Sequence, residues 1–407
     1  MNNKSDIQAA EGRTPLKIQV LAPHAFYIDR GTPIDLEILL RALSNRGDVV
    51  QACVYHEGEE HNYKGVTVHR IAPPGWLKNI GPGFSGKKLI ADIYLFFLAW
   101  KVLRRFKPDV LHAGEEAVFM ARLFKLIHGI PYVYDMDSSI AQQMVEKKSY
   151  FKPVAWLFNW FERRAIQNAV ACAPVCNALA DLAREGGAKH VETLHDISQL
   201  SDPDRQPTGF LREKLAIPPE RLILMYVGNL EKYQGVDLLL DGFAEALKCG
   251  APVDLVVAGG SDDDIEKYRR KATAMRLEGR AHFLGRWPAS ELDELLAEGD
   301  ILTAPRIKGV NTPQKIFPYM HSGRPVLLTD LPTHSQIVDG SVAMLAPAEA
   351  EGFGQAIIEL ARDGGKRAEL GAAGRAFVER QHTFAAHQHR VNRLYDYVGE
   401  QVQNRCK

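Results

Sequence analysis

The residues best able to hold an anion in this chain are Asn311-Thr312-Pro313-Gln314-Lys315-Ile316-Phe317. Thr312 suits an N-cap and Pro313 the first helical position, so the spacing predicts a helix starting there. Ile316, Phe317 and Met320 would give that helix its apolar stripe. A helix start projects unpaired N–H groups and partial positive charge. Lys315 in the first turn opposes the macrodipole, a placement that makes sense if a phosphate docks beside it with Arg306 and Lys308 just upstream. A capped helix with solvated lysines is the alternative.

A second unit is Tyr226-Val-Gly-Asn-Leu-Glu-Lys-Tyr-Gln-Gly235, which reads as strand, glycine loop and helix start. Gly228 allows a ligand close to the strand end, and Asn229 and Gln234 offer neutral hydrogen bonds. The loop lacks the Gly-Lys-Ser/Thr of a phosphate-cradling Walker sequence and is not a dinucleotide fingerprint. A plain strand-ending turn accounts for it equally well. Nearer the N-terminus, Arg30-Gly31-Thr32-Pro33 follows the first strand, with Gly31 able to present its N–H to a phosphate and Pro33 fitted to a helical first turn. Tyr134-Asp135-Met136-Asp137 ends a strand with two carboxylates, a pattern compatible with a metal–pyrophosphate clamp but also common at strand ends. His112 and Glu115, in Leu111-His-Ala-Gly-Glu115-Glu116, also close a strand; a structural histidine fits as well as a ligand contact. The run Asp262-Asp263-Asp264 is the charged first turn of a helix.

The elements that must position these residues alternate along the whole chain. Leu16–Ala22, Asp48–Tyr55, Val66–Ile71, Asp109–Ala113, Pro131–Asp135 and Ala169–Ala173 are predicted strands. Ile34–Arg46, Lys88–Phe106, Ala117–His128 and Pro153–Asn168 recur at helical spacing between them. Several strands are apolar throughout, as in parallel sheets covered on both faces. The polar, proline-rich stretch from Ser201 to Pro219 is the predicted boundary. Strands then resume at Leu222–Val227, Val253–Ala258, His282–Leu284, Asp300–Ala304, Pro325–Thr329 and Val342–Leu345, with helices at Gly235–Lys248, Ile265–Leu277, Ser290–Glu298 and Gln314–His321. The fold class expected is α/β, two tandem doubly wound domains facing a cleft. The predicted domains are 1–205 and 206–383, with a final helix over 384–407. Ligands bind such sheets beyond the carboxyl ends of their strands, where the strand order reverses.

Composition narrows the function. With 407 residues, 25% charged and 50 Lys+Arg against 50 Asp+Glu, the chain is neither disordered nor collagen-like, and its zero net charge argues against a nucleic-acid-binding protein. Its five cysteines are scattered and read as ordinary thiols of a reducing, cytoplasmic environment, with no metal site expected. The N-terminus has no apolar leader, and the longest apolar run, Ile93–Trp100, is eight residues. From Lys78 to Lys107 seven Lys/Arg face one acid, Asp92, among aromatics including Phe84, Tyr94, Phe96, Phe97 and Trp100. That pattern suits either peripheral contact with an anionic membrane at its inner face, or a core helix with one basic side.

Together these units resemble the GT-B glycosyltransferases, in particular the large retaining family four. The order Tyr226–Leu240, Gly259-Gly260, Phe283-Leu-Gly-Arg286, Asp300–Arg306 and Ser322-Gly-Arg-Pro-Val326 carries the resemblance, with Phe161–Ile166 and Leu36–Asp48 in the first half. The resemblance implies that a nucleoside-diphosphate sugar binds mainly in the second domain. Backbone groups near Phe283–Trp287, including Arg286, would hold the base, and the Asn311-Thr312 turn the pyrophosphate. Gly228, Asn229, Gln234, Gly260 and Lys315 would contact the donor, Arg306 and Lys315 would stabilise charge, and Arg30, Gly31, Thr32, His112 and Glu115 would line the first domain. The acceptor would be a glycan, a lipid-linked sugar or a small molecule in polysaccharide or glycoconjugate synthesis, with no metal or other cofactor.

The chain also departs from the family. Asn229 and Gln234 stand where many members carry Arg and Lys. The family's two glutamates fall on Val310 and Pro318, and its first-domain histidine on Asp137, which is the expected catalytic contact here. Some branches use a Thr-Pro-x-Lys version in place of the glutamates. Two alternatives follow from these departures: a sugar-nucleotide 2-epimerase of the same fold, using Asp137, His112 and Glu115, or a non-catalytic partner of another transferase.

Overall fold

The computed structural model describes residues 14–26, 31–81, 85–139 and 155–406. The chain divides into two compact units, 1–195 with 387–407, and 196–386. The break falls ten residues before the predicted 205/206. The intervening segment belongs to the second unit because Ser198 donates its N–H to His382 O (2.8 Å), and Asp202 N–H reaches Asp293 Oδ2 (2.7 Å).

In the first unit, β1 (Lys17–Leu21), α1 (Gly31–Arg46), β2 (Val49–Val54), β3 (Val66–Arg70), α2 (Gly86–Phe106), β4 (Val110–Gly114), α3 (Ala117–His128), β5 (Tyr132–Met136), α4 (Ala155–Asn168), β6 (Ala171–Pro174) and α5 (Asn177–Glu185) follow in order. Their strands form one parallel sheet in the order β3-β2-β1-β4-β5-β6. Every residue of β4 is buried, as expected where helices cover both faces. Leu111 and Ala113 pack with Ala91, Leu95 and Ala99 of α2 and with Phe124 of α3. Phe96 stacks on Phe124, and Phe119 meets Phe161 edge-on, so α2, α3 and α4 lie side by side on that face. Ser85 caps α2 by accepting the Lys88 N–H, and Lys107, at φ 52°, turns the chain out of the helix ahead of Pro108.

The second unit contains β7 (Leu222–Val227), α6 (Val236–Lys248), β8 (Val253–Ala258), α7 (Asp262–Ala274), β9 (Ala281–Gly285), β10 (Ile301–Ala304), α8 (Ile316–His321), β11 (Val326–Thr329), β12 (Met344–Ala346), α9 (Ala350–Arg362) and α10 (Gly364–Gln381). Its sheet is β12-β11-β10-β7-β8-β9. Counted from their own first strands, both sheets have the same doubly wound order, and the reversal falls between β1 and β4 in one and between β7 and β10 in the other. The acidic run Asp262–Asp264 forms the first turn of α7, closed by a capping box with Ser261.

The last helix, α11 (Phe384–Cys406), belongs to the first unit from His387 onward. His112 points to the face opposite Leu111 and Ala113, as strand alternation requires. There its Nδ1 pairs with Tyr395 Oη of α11 at 2.8 Å, while Arg46 holds Asp396 at 2.6 Å. Among the described residues no helix is long and apolar enough to cross a membrane.

Candidate functional site

The second unit's reversal point gathers the loops after β7 and β10. Gly235 has φ +77°, and a Cβ there would lie 1.8 Å from Pro305 O, so the two loops touch through a position only glycine can fill. Gln234 is buried beside that contact, and Asn229 is exposed, its Oδ1 accepting the Glu231 N–H. Gly228, at φ +149°, leaves open the space into which Lys315 extends.

Lys315 is the centre of this group. Its Nζ donates to Tyr226 Oη at 2.8 Å and lies 4.1 Å from that ring's centroid, a cation–π contact. Tyr226 Oη in turn donates to Asn229 O at 2.5 Å. One turn on, Tyr319 fixes the end of β7 by accepting the Val227 N–H and donating to Val227 O, both at 2.7 Å. Burial, and then the nearby Arg306 charge, push the Lys315 amine down to about 7. Among the described residues no carboxylate pairs with it. Arg306 is held by Lys308 O (2.9 Å) and Asn311 O (3.2 Å), with its guanidinium over Tyr233 at 5.0 Å. Beneath the loop, His334 is pushed down to about 4 by burial, with Arg306 and Lys315 acting in the same sense, and so stays neutral. Two cations converging at a strand-order reversal are suited to a multiply charged anion.

The predicted helix start at Thr312 is corrected by the structure. α8 begins at Ile316, with Lys315 in the cap position and no side-chain cap. Pro318 is the reason. It has no N–H to give, and its ring would meet the Gln314 carbonyl inside a longer helix, so it must lie in the first turn. The residues before it form tighter turns instead, Ile316 N–H to Pro313 O and Phe317 N–H to Gln314 O, both 3.2 Å. Thr312 therefore caps nothing, and its Oγ1 is buried without a hydrogen-bond partner among the described residues. Asn311 serves through its backbone, its O accepting from Arg306 and from Thr333 Oγ1 (2.6 Å). Gly260 packs on Leu230. Arg286 directly follows the edge strand β9 and is exposed.

In the first unit, Arg30 lies outside the described residues, Gly31 and Thr32 begin α1, and Asp137 directly follows β5, half-buried. Both ring nitrogens of His112 are engaged, Nε2 with Asp135 Oδ2 at 2.9 Å and Nδ1 with Tyr395, which makes this histidine a brace between β4, β5 and α11. Glu115 holds a left-handed backbone, φ +46°, just past β4, with its N–H on Asp135 O. Lys88 of α2 reaches both Glu115 Oε2 (3.2 Å) and Glu116 Oε1 (2.6 Å). Burial opposes charge on Lys88, yet these two carboxylates outweigh it and raise its pKa. Beside them Tyr55 donates to Asp92 at 2.6 Å; burial lifts Asp92 to about 6 and Glu116 to about 7. Sequence spacing gave no sign of the Lys88 group, whose members lie 27 and 28 residues apart, nor of Tyr395, 283 residues from His112. Among the described residues no three His, Cys, Asp or Glu side chains are grouped to hold a metal ion.

Two family models match in tandem: a glycosyl transferase 4-like domain over residues 31–195 and glycosyl transferases group 1 over 221–363. An α-D-kanosaminyltransferase of Streptomyces kanamyceticus is 24% identical over 261 residues, 61% of this chain and 66% of that protein, just under two thirds of its length. Among solved structures, sucrose-phosphate synthase from Thermosynechococcus elongatus superposes with a TM-score of 0.76 at 17% identity, covering 95% of this chain and all of that one. HepE of Anabaena, solved in complex with UDP-glucose, superposes with a TM-score of 0.70 at 17% identity over 94% of this chain and 99% of its own. These likenesses establish the two-unit α/β fold of this structural class.

Proposed function

The chain belongs to the GT-B glycosyltransferases, and from that premise we propose that it moves a sugar from a nucleoside-diphosphate sugar to an acceptor with retention of configuration. The observation that carries this reading is the buried Lys315 amine beside Gly228, which no carboxylate among the described residues neutralises and which Arg306 backs. On loss of the sugar the diphosphate gains charge, and cations preorganised at that position stabilise the transition state without reorganising. Lys315 and Arg306 take this role. The acceptor proton passes to the leaving phosphate on the same face as the attack, which preserves configuration. Thr312 and the Asn311 turn contact the diphosphate, and Asn229, Gln234, Gly260 and Arg286 the rest of the donor. Asp137, Glu115, Arg30, Gly31 and Thr32 are the first-unit residues we assign to the acceptor.

The HepE complex makes a UDP-sugar the first donor to test. The acceptor is a glycan, a lipid-linked sugar or a small molecule of polysaccharide or glycoconjugate synthesis, met in the cytoplasm at the inner face of the membrane. The cationic, aromatic α2 supports that location. Thermal shift with UDP-, GDP-, ADP- and dTDP-sugars tests the donor site: a ligand at ~100 times its Kd stabilises by roughly 2.7 kcal/mol. A shift with one base is expected. No shift with any of them overturns the reading, and binding without transfer across an acceptor panel points to the non-catalytic alternative.

A further inference from the structure

α2, α3 and α4 bury one side of the first unit's sheet, yet each also turns large apolar side chains to solvent. On α2, Leu89, Ile93 and Phe97 recur every fourth residue, with Phe97 66% exposed. On α3 the exposed residues are Leu123, Leu126 and Ile127, Leu126 at 73%. On α4 they are Trp156, Leu157, Trp160 and Phe161, Trp156 at 67%. A groove of about 390 Å³ runs between α3 and α4, lined by Phe119, Leu123, Leu126, Phe158 and Phe161 with Arg122. Isolated exposed apolar residues are ordinary, but a continuous set across three neighbouring helices marks an interaction surface.

The charges on these helices select the partner. Together they carry nine Lys/Arg and two acids, and neither acid joins the outer surface. Asp92 accepts from Tyr55, and Glu162 is buried, accepting from Ser139 at 2.8 Å and from Tyr134. Lys88 is buried on Glu115 and Glu116, which leaves eight exposed or half-buried cations around the apolar residues with no outward carboxylate on any of the three helices. Two copies meeting through this face would oppose cation to cation. A surface that takes apolar side chains into its interior and presents anions at its boundary has the opposite charge and the right polarity gradient. Trp156 and Trp160 have the amphipathic rings that settle at such a boundary.

We infer that the α2–α3–α4 face is the surface by which this protein lies on an anionic lipid membrane, with Phe97, Leu126 and Trp156 entering the acyl boundary and Arg104, Arg105, Arg163 and Arg164 meeting headgroups. The inference rests on the membrane location proposed above and names the surface responsible. No helix need span the bilayer.

Sedimentation of the full chain with phosphatidylglycerol–phosphatidylcholine vesicles, against phosphatidylcholine alone, tests it. Binding to the first, weakened by salt, with a blue shift of tryptophan emission, is expected. The combined substitution Phe97→Ser, Leu126→Ser, Trp156→Ser reduces partitioning at least about tenfold, as does Arg104→Glu with Arg105→Glu, which alters exposed positions only. The inference is overturned if the unaltered chain does not bind anionic vesicles, if it binds neutral ones equally, or if both variants bind as well as it does. It is also overturned if light scattering shows a dimer that the serine variant abolishes, since a second copy then covers the face. The nucleotide-sugar thermal shift, measured without vesicles on the same samples, separates the two readings. A retained shift with no vesicle binding removes this surface alone, and vesicle binding with no shift removes only the donor site.

Discussion

Lys315 occupies the volume that a side chain on residue 228 would fill: a Cβ built on Gly228 lies 2.3 Å from Nζ and 3.0 Å from Cε. The amine can move aside, so Gly228→Ala displaces the cation rather than breaking the fold. Its left-handed backbone adds about 1–2 kcal/mol of strain. Nucleoside-diphosphate affinity should fall about tenfold to a hundredfold, the worth of a charge-assisted hydrogen bond. Gly235→Ala should behave differently, because its Cβ meets the Pro305 carbonyl, which cannot swing away. We expect that variant to lose about 3 kcal/mol or more of stability. Urea unfolding and calorimetry with UDP on both variants check the contrast.

The lowered Lys315 pKa makes anion binding a proton-linked event. In the unliganded protein burial and Arg306 favour the neutral amine above about pH 7. A diphosphate binds the charged form, so above that pH binding takes up a proton, and affinity falls as pH rises, by up to about tenfold per unit. Calorimetry at pH 8 in two buffers of different ionisation enthalpy should register close to one proton taken up with UDP. Lys315→Met should abolish the uptake and flatten the pH profile, leaving nucleoside binding nearly unchanged. Equal loss of nucleoside and diphosphate binding would remove Lys315 from the phosphate site.

The sheets were legible because strands such as Val253–Ala258 and Leu222–Val227 are apolar, β-branched runs separated by helical periodicity. Lys315 stood out for a related reason, as a cation in a loop after a strand. The helix start at Thr312 misled because the capping pattern is local, whereas the proline that overrules it lies six residues on. The Lys88, Glu115 and Glu116 cluster was not visible because α2 and the end of β4 come together only when the sheet forms. His112 could be placed at a strand end, but its partner Tyr395 is supplied by the last helix, a pairing that chain topology alone decides.

Thr312 gives a test in which stability and binding should diverge. Its Oγ1 is buried without a hydrogen-bond partner among the described residues. Exchanging that hydroxyl for a methyl group of similar shape, Thr312→Val, removes an unsatisfied group and should leave stability unchanged or raise it by about 1 kcal/mol. If the hydroxyl is kept for the donor diphosphate, the same substitution lowers nucleotide affinity while the nucleotide-free protein melts no earlier. A variant that melts earlier and binds normally would show the hydroxyl to be structural.

Lys88 provides the corresponding test in the first unit. It is buried, and it neutralises two successive carboxylates at the end of β4, where Glu115 is held at φ +46°. Lys88→Met leaves both carboxylates without the cation that pairs them. Breaking such a buried pair costs about 3–5 kcal/mol, a cost they can reduce only by protonating. Burial already lifts Glu116 to about 7, and losing Lys88 removes a charge that was holding it down, so its pKa rises further. A carboxyl whose folded pKa lies above its unfolded value costs stability as pH rises from the unfolded pKa through the folded one. The variant should therefore be nearly as stable as the parent at pH 5 and much less stable at pH 8. Urea midpoints at those two pH values measure the difference, and a deficit independent of pH would mean that Lys88 acts through packing and not through its charge.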